Sequence, residues 1–226
     1  MNHLSDGETG TGLQFFGKMT ASISHEIKNV MAIINESAGL LEDYTIMAEK
    51  GIPIDPEKLK ALSQRVSKQI RRAGGITRNM NSLAHSVDDF HKSVGLREIL
   101  ELSVGLSLRL ADMKSVKLDL QLPQDPVTII TSPFHLLNLL WQVVDFAMGA
   151  SGDGKTLRFT YETGPDSVKI RVTGLEMLSN LSEDAFPTET EKALLQTLGG
   201  AIFLDAKARE IQMVLPKDIR QKSTDN

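Results

Sequence analysis

The chain has 226 residues, room for one large domain or two small ones, with 25 basic against 29 acidic residues and a formal net charge of −4. That balance excludes a basic field for nucleic acid and a polybasic membrane anchor, and 5 % aromatics excludes a base-stacking platform. A cysteine count of 0 excludes disulfides, thiolate metal sites and a cysteine nucleophile, and fits a cytoplasmic protein.

Residues 1–12, MNHLSDGETGTG, are polar and glycine-rich, lack the apolar stretch of a signal peptide and are expected to be a disordered tail. No later run approaches the roughly 20 apolar residues of a membrane span. From Leu13, apolar residues recur at Phe16, Met19, Ile23, Ile27, Val30, Ile34 and Leu41, which predicts one apolar helical face. Gly51 and Pro53 end that helix, and Asp55 before Pro56 reads as an N-cap and first-turn proline. Leu62, Val66, Gln69, Ala73, Ile76, Met80, Leu83, Val87 and Phe90 then alternate at spacings of four and three, a heptad rhythm with one polar lapse. Two helices leave part of both stripes uncovered. A second copy of the chain completes them, so residues 13–93 are expected to form a hairpin within a dimeric four-helix bundle. Gly74-Gly75 reads as a close-packing or bending point, or as mere tolerance.

After Val94 the pattern mixes. Residues 96–112 read as a connecting helix, VKLDLQL and VTII as strands, and the apolar run after Ser132-Pro133 as a buried helix with Trp141 in its core. LRFTYET and VKIRVT flank GPDS as a hairpin. A helix over 188–198 ends at Gly199-Gly200, and AIFLD with EIQMVLP forms a second hairpin. The order predicts an α+β sandwich over 94–217, one mostly antiparallel sheet against helices, followed by a polar tail over 218–226.

One short motif offers chemistry. In SHEIKN, His25 lies about 180° from the Phe16/Ile34 stripe and faces solvent, with Ser22 and Asn29 on its side and Glu26 one residue off. An imidazole so placed offers a nucleophilic nitrogen, and a nearby carboxylate can hold its other ring N–H. Helix geometry by itself leaves His25 undecided between that role and a solvated surface histidine. His3, His85, His91 and His135 lack the spacing of a metal site, so no metal is expected. GDGK at 152–155 lacks the phosphate-loop spacing and reads as a turn.

FFGKMTASISHEIKNVMAIINESAGLL resembles the H-box helix of two-component sensor histidine kinases, and RRAGGITRNMNSLAHS resembles the second helix of their dimerisation and phosphoacceptor domain. LREILELSV, VKLDLQLP, TSPFHLLNLLWQVVDFAM, LLQTLGGAIF and MVLP follow in the order of that family's ATP-binding domain, so the resemblance spans roughly residues 13 to 216. It implies an ATPase-type α/β sandwich over 94–217, phosphorylation at His25, Glu26 as the neighbouring base, and Asn29 as a receiver contact or the residue that positions a dephosphorylating water. This chain's second domain departs from the family's pattern at the nucleotide. Asn138 matches the first N-box asparagine, but Gln142 stands where the magnesium ligand belongs. VKIRVT runs into Thr173-Gly174-Leu175-Glu176 without the acid–glycine turn that takes adenine, and no glycine lies between Gly174 and Gly199. The acids of PTETEK, Glu189 and Glu191, suit a helix start but repel a triphosphate.

The expected protein is therefore a histidine phosphotransferase resembling the Spo0B and ChpT type, built on a degenerate kinase frame. It would need no nucleotide of its own, with magnesium held by the receiver domain of a response-regulator partner. An ATP-dependent kinase with a divergent pocket and a non-catalytic receiver-binding module or phosphatase are the alternatives.

Overall fold

The computed structural model describes residues 6–182 and 185–220. Of the two expected tails, 1–5 and 221–226 lie outside these residues, as does His3. The described chain divides into two compact units, one of residues 18–82 and one joining the residues up to Gly17 with those from Leu83 onward.

The first unit is the helical hairpin, carried by α1 (Asp6–Glu49) and α2 (Pro56–Ala84). Its loop follows the local chemistry. Gly51 takes φ +77°, its N–H donates to the Ala48 carbonyl, and the Ile52 N–H donates to the Met47 carbonyl, which closes α1 in a Schellman motif. Asp55 accepts from the Glu57 N–H at 2.9 Å and caps α2 as expected. The buried residues Ile23, Val30 and Ser37 of α1, and Gln69 and Ile76 of α2, repeat every seven positions.

Several boundaries move. α1 begins at Asp6, inside the expected tail, and α2 stops at Ala84, before Val87 and Phe90. A 3-10 turn (His85–Val87) follows, and then an unexpected strand, β1 (Lys92–Gly95). The expected hairpin of 13–93 thus loses both ends to the second unit. The reason is visible at Phe15, which is 1 % exposed while Phe16 is 37 % exposed. The Phe15 ring lies 5.7 Å from Phe134 and 5.9 Å from Trp141, so the first turns of α1 join the aromatic core of the second unit. Phe16 instead lines an apolar groove of about 520 Å³ with Leu13, Val87, Phe90 and Phe134.

The second unit is the expected mixed sandwich. Its further elements are α3 (Leu96–Lys114), β2 (Lys117–Leu120), β3 (Thr128–Thr131), α4 (Pro133–Gly149), β4 (Thr156–Thr163), β5 (Ser167–Thr173), α5 (Glu189–Leu198), β6 (Ala201–Asp205) and β7 (Glu210–Pro216). Five strands form one sheet in the order β2-β4-β5-β7-β6, with β2 and β4 parallel and every other pair antiparallel. β3 leaves that sheet and pairs with β1 instead. Leu157, Phe159 and Tyr161 of β4, Val168, Ile170 and Val172 of β5, and Ile211, Met213 and Leu215 of β7 alternate into the core. Over them lies α4, apolar nearly all round as a buried helix must be, with α3 and α5 packed on it. Past β7 the chain stays pinned, because the Ile130 N–H donates to the Lys217 carbonyl at 2.7 Å. Residues 218–220 are therefore not free tail.

Candidate functional site

His25 sits near the middle of the 44-residue α1, in a stretch where every backbone group is satisfied within the helix. Its side chain is exposed, as is that of Asn29 one turn further on, while Ser22 one turn back is half-buried. The SHEIKN geometry is thus the one expected from helical angles.

Glu26 adds a feature that spacing did not foretell. Its side chain is 14 % exposed, and its carboxylate lies 3.7 Å from the Arg72 guanidinium of α2. One turn pair further along the hairpin, Arg65 donates to Glu36 at 2.6 Å. Arg72 and Glu26 each immediately precede a seam residue, Ala73 and Ile27, so the flanks of an antiparallel pair bring them together. That was the available signal, but it needs the register between the helices, which neither helix states alone.

In the second unit Asn138 and Gln142 stand one turn apart on α4. Asn138 is 1 % exposed, and neither atom of its amide has a partner among the described residues. Gln142 is half-buried. Further along the same face, Asp145 is held by Lys114 at 2.6 Å, and Phe146 lies under Phe186 with ring centroids 4.5 Å apart. Glu176 occupies the turn that GDGK makes. Its carboxylate accepts from the Gly154 N–H at 3.1 Å, and a side chain at Gly154 would strike it. Gly174, at φ +99°, passes so close to the Thr156 carbonyl that no side chain fits there. Thr188 and Glu191 close a capping box at the start of α5, so one of the PTETEK acids serves the helix itself. A cavity of about 460 Å³ lies beyond, lined by Leu178, Phe186, Ile202 and Leu204, and its wall includes none of Asn138, Gln142 and Glu176.

Among the described residues no three histidines and carboxylates converge as a metal site would require. No described helix is long and apolar enough to cross a membrane.

No family model matches the chain, and no curated protein matches it. Among solved structures it is similar to a bacterial phosphotransferase, at 16 % identity over 94 % of this chain and 98 % of that one, with a TM-score of 0.48. A histidine kinase from Burkholderia phymatum STM815 is similar at 15 % identity over 90 % of this chain and 98 % of that one, with a TM-score of 0.47. The histidine kinase ThkA, in its complex with the response regulator protein TrrA, is similar at 18 % identity over 91 % of this chain and 63 % of that one, with a TM-score of 0.46. Likenesses this remote describe an arrangement of elements and assign no activity.

Proposed function

We propose that this protein is a histidine phosphotransferase of two-component signalling. His25 takes a phosphoryl group from the aspartate of one response-regulator receiver domain and passes it to another, with no ATP of its own. The observation that carries this is the placement of His25, an exposed imidazole in mid-helix whose neighbour Glu26 is held against α2 by Arg72. A ring so mounted meets an incoming partner while its backbone cannot recede.

In the forward step the lone pair of one ring nitrogen forms the N–P bond as the P–O bond to the receiver aspartate breaks. The bonding electrons leave with that aspartate as a carboxylate. The ring keeps its proton on the other nitrogen, and the Glu26 carboxylate offsets the positive charge that develops. An acyl phosphate is already activated, so the hairpin supplies position and charge neutralisation, and magnesium stays with the receiver. Asn29 is placed to touch the same receiver.

The transfer runs without a nucleotide, because the residues at its place do not fit a magnesium triphosphate. The Asn138 amide is buried, Asp145 is paired with Lys114, Phe146 is covered by Phe186, and a carboxylate, Glu176, lies on the backbone of the 152–155 turn. Negative charge there repels phosphate. The rival ATP-dependent kinase draws only on the buried Asn138 and the order of elements.

We also infer a homodimer. Met31 is 64 % exposed and Ile70 58 % exposed, and Leu41 and Leu59 join them. By helical angle these lie on one side of the hairpin seam, with His25, Glu26 and Arg72 on the other. A second hairpin covers the apolar side and leaves the histidine side open.

Incubation with a phosphorylated receiver tests the assignment. Acid-labile phosphate is expected on the wild type and not on His25→Ala, and Mg·ATP is expected to label neither. Rapid labelling from ATP would restore the kinase reading. Receiver binding that survives His25→Gln, with no phosphate acquired by the wild type, would make the protein a binding module.

A further inference from the structure

We propose that the groove of about 520 Å³ beside Phe16 binds a small organic cation, an ammonium group carried on an alkyl or aryl body. All of its lining belongs to the second unit, so the site stands independently of any role of His25. Its walls include residues that a continuous apolar stripe would bury. Leu13, Phe16, Val87 and Phe90 are instead all exposed. α2 stops at Ala84, ahead of Val87 and Phe90, and the burial of Phe15 turns Phe16 outward. Four large apolar side chains from two distant segments thus gather round one opening. Its volume is that of a small-molecule site, and such a gathering marks a binding groove where scattered apolar residues would not.

The aromatic rings and one carboxylate select the ligand. Phe134, in the first turn of α4, lies against the bare backbone of Gly12, where a side-chain carbon would come within 3.1 Å of the ring. The His135 ring follows, 5.4 Å from Phe90 and 5.8 Å from Phe134, edge to face with both, and its Nδ1 lies 2.7 Å from the Ser132 hydroxyl. Rings that meet at such steep angles form a corner instead of a closed stack. Asp89, between Val87 and Phe90, brings an exposed carboxylate to this corner, and no Lys or Arg lines the groove among the described residues. Asp88 is engaged by His85 at 2.8 Å, whereas Asp89 has no ion pair among the described residues. Aromatic faces attract positive charge, and the carboxylate acts in the same direction. An apolar anion is repelled by both. A metal ion meets one carboxylate without the further ligands it needs. A weakly hydrated ammonium on an apolar body satisfies both parts, with its body in the groove and its charge beside Asp89.

Titration calorimetry on the full chain tests this with three probes that share one body: phenylbutyltrimethylammonium, phenylbutanol and phenylbutyrate. The cation is expected to bind about tenfold more tightly than the alcohol, and the carboxylate more weakly than either. Asp89→Asn and Phe90→Ala are each expected to weaken the cation about twofold to thirtyfold, the range for a partly desolvated charge on an aromatic face. Asp89→Asn keeps the side chain's size, so its result stands even where Phe90→Ala disturbs the groove. Phe203→Ala removes an exposed aromatic of β6 outside the groove and is expected to change nothing. Equal affinity for the alcohol would make the groove a plain apolar patch and overturn the proposal. Cation binding that neither groove variant weakens would overturn it as well, as would no binding by any probe. Binding confined to an Ile70→Asp chain, in which the inferred dimer is broken, would also sink it, because a second copy would then be the cover of the groove.

Discussion

Gln69 interrupts the heptad of α2 with an amide that is buried and whose Oε1 has no partner among the described residues. A buried carbonyl left without a donor costs about 1–3 kcal/mol. Gln69→Leu is therefore expected to raise stability by about 1 kcal/mol, read as a higher urea midpoint with an unchanged slope. Asp218 shows the opposite case. The guanidinium and backbone N–H of Arg220 donate to its carboxylate at 2.7–2.9 Å and hold its pKa down from 3.8 to about 2. A folded-state value below the unfolded one stabilises the fold above about pH 3.8, and the gain is lost as pH falls through about 2. Asp218→Asn is thus expected to melt below wild type at neutral pH, with the gap closing in acid; a gap that widens in acid would contradict the pairing. At this scale the outward face of His25 and Asn29 was legible, because angles along one helix are local. The partners Arg72 and Glu176 were not, because each is chosen by an element remote in sequence.

The elements themselves carry most of their own instructions. Gly51, Asp55 with Pro56, and Gly199 end or begin helices where they stand, each through a bond to residues within six positions. The assignment that failed was between two adjacent phenylalanines. Phe15 and Phe16 lie 100° apart on α1, and either fits an apolar stripe. Which one is buried depends on Phe134 and Trp141, more than a hundred residues away. Phe15→Ala is accordingly expected to cost about 3–5 kcal/mol of unfolding free energy and Phe16→Ala far less, measured by chemical denaturation. Equal costs would return Phe16 to the core. β1 escaped notice for the same reason. KSVG has little strand character alone and becomes a strand only by pairing with β3, itself drawn from the sheet it was expected to join.

For the molecule as a whole, the apolar flank of the hairpin predicts its association. Ile70→Asp places a charge in the middle of that flank and is expected to shift sedimentation from dimer toward monomer while leaving hairpin helicity intact. A wild type that sediments as a monomer would remove the second copy from the account. By itself the sequence determined the two-part plan, the long heptad hairpin, the mixed antiparallel sandwich and the outward histidine, since each follows from periodicity and capping that act within a few residues. Only the tertiary structure decided where one unit ends and the next begins, which phenylalanine is core, that β3 leaves the sheet, and that Arg72 of α2 meets Glu26 beside the histidine. Those outcomes depend on register and on contacts between distant segments, and such energies belong to pairs of elements rather than to any stretch of chain.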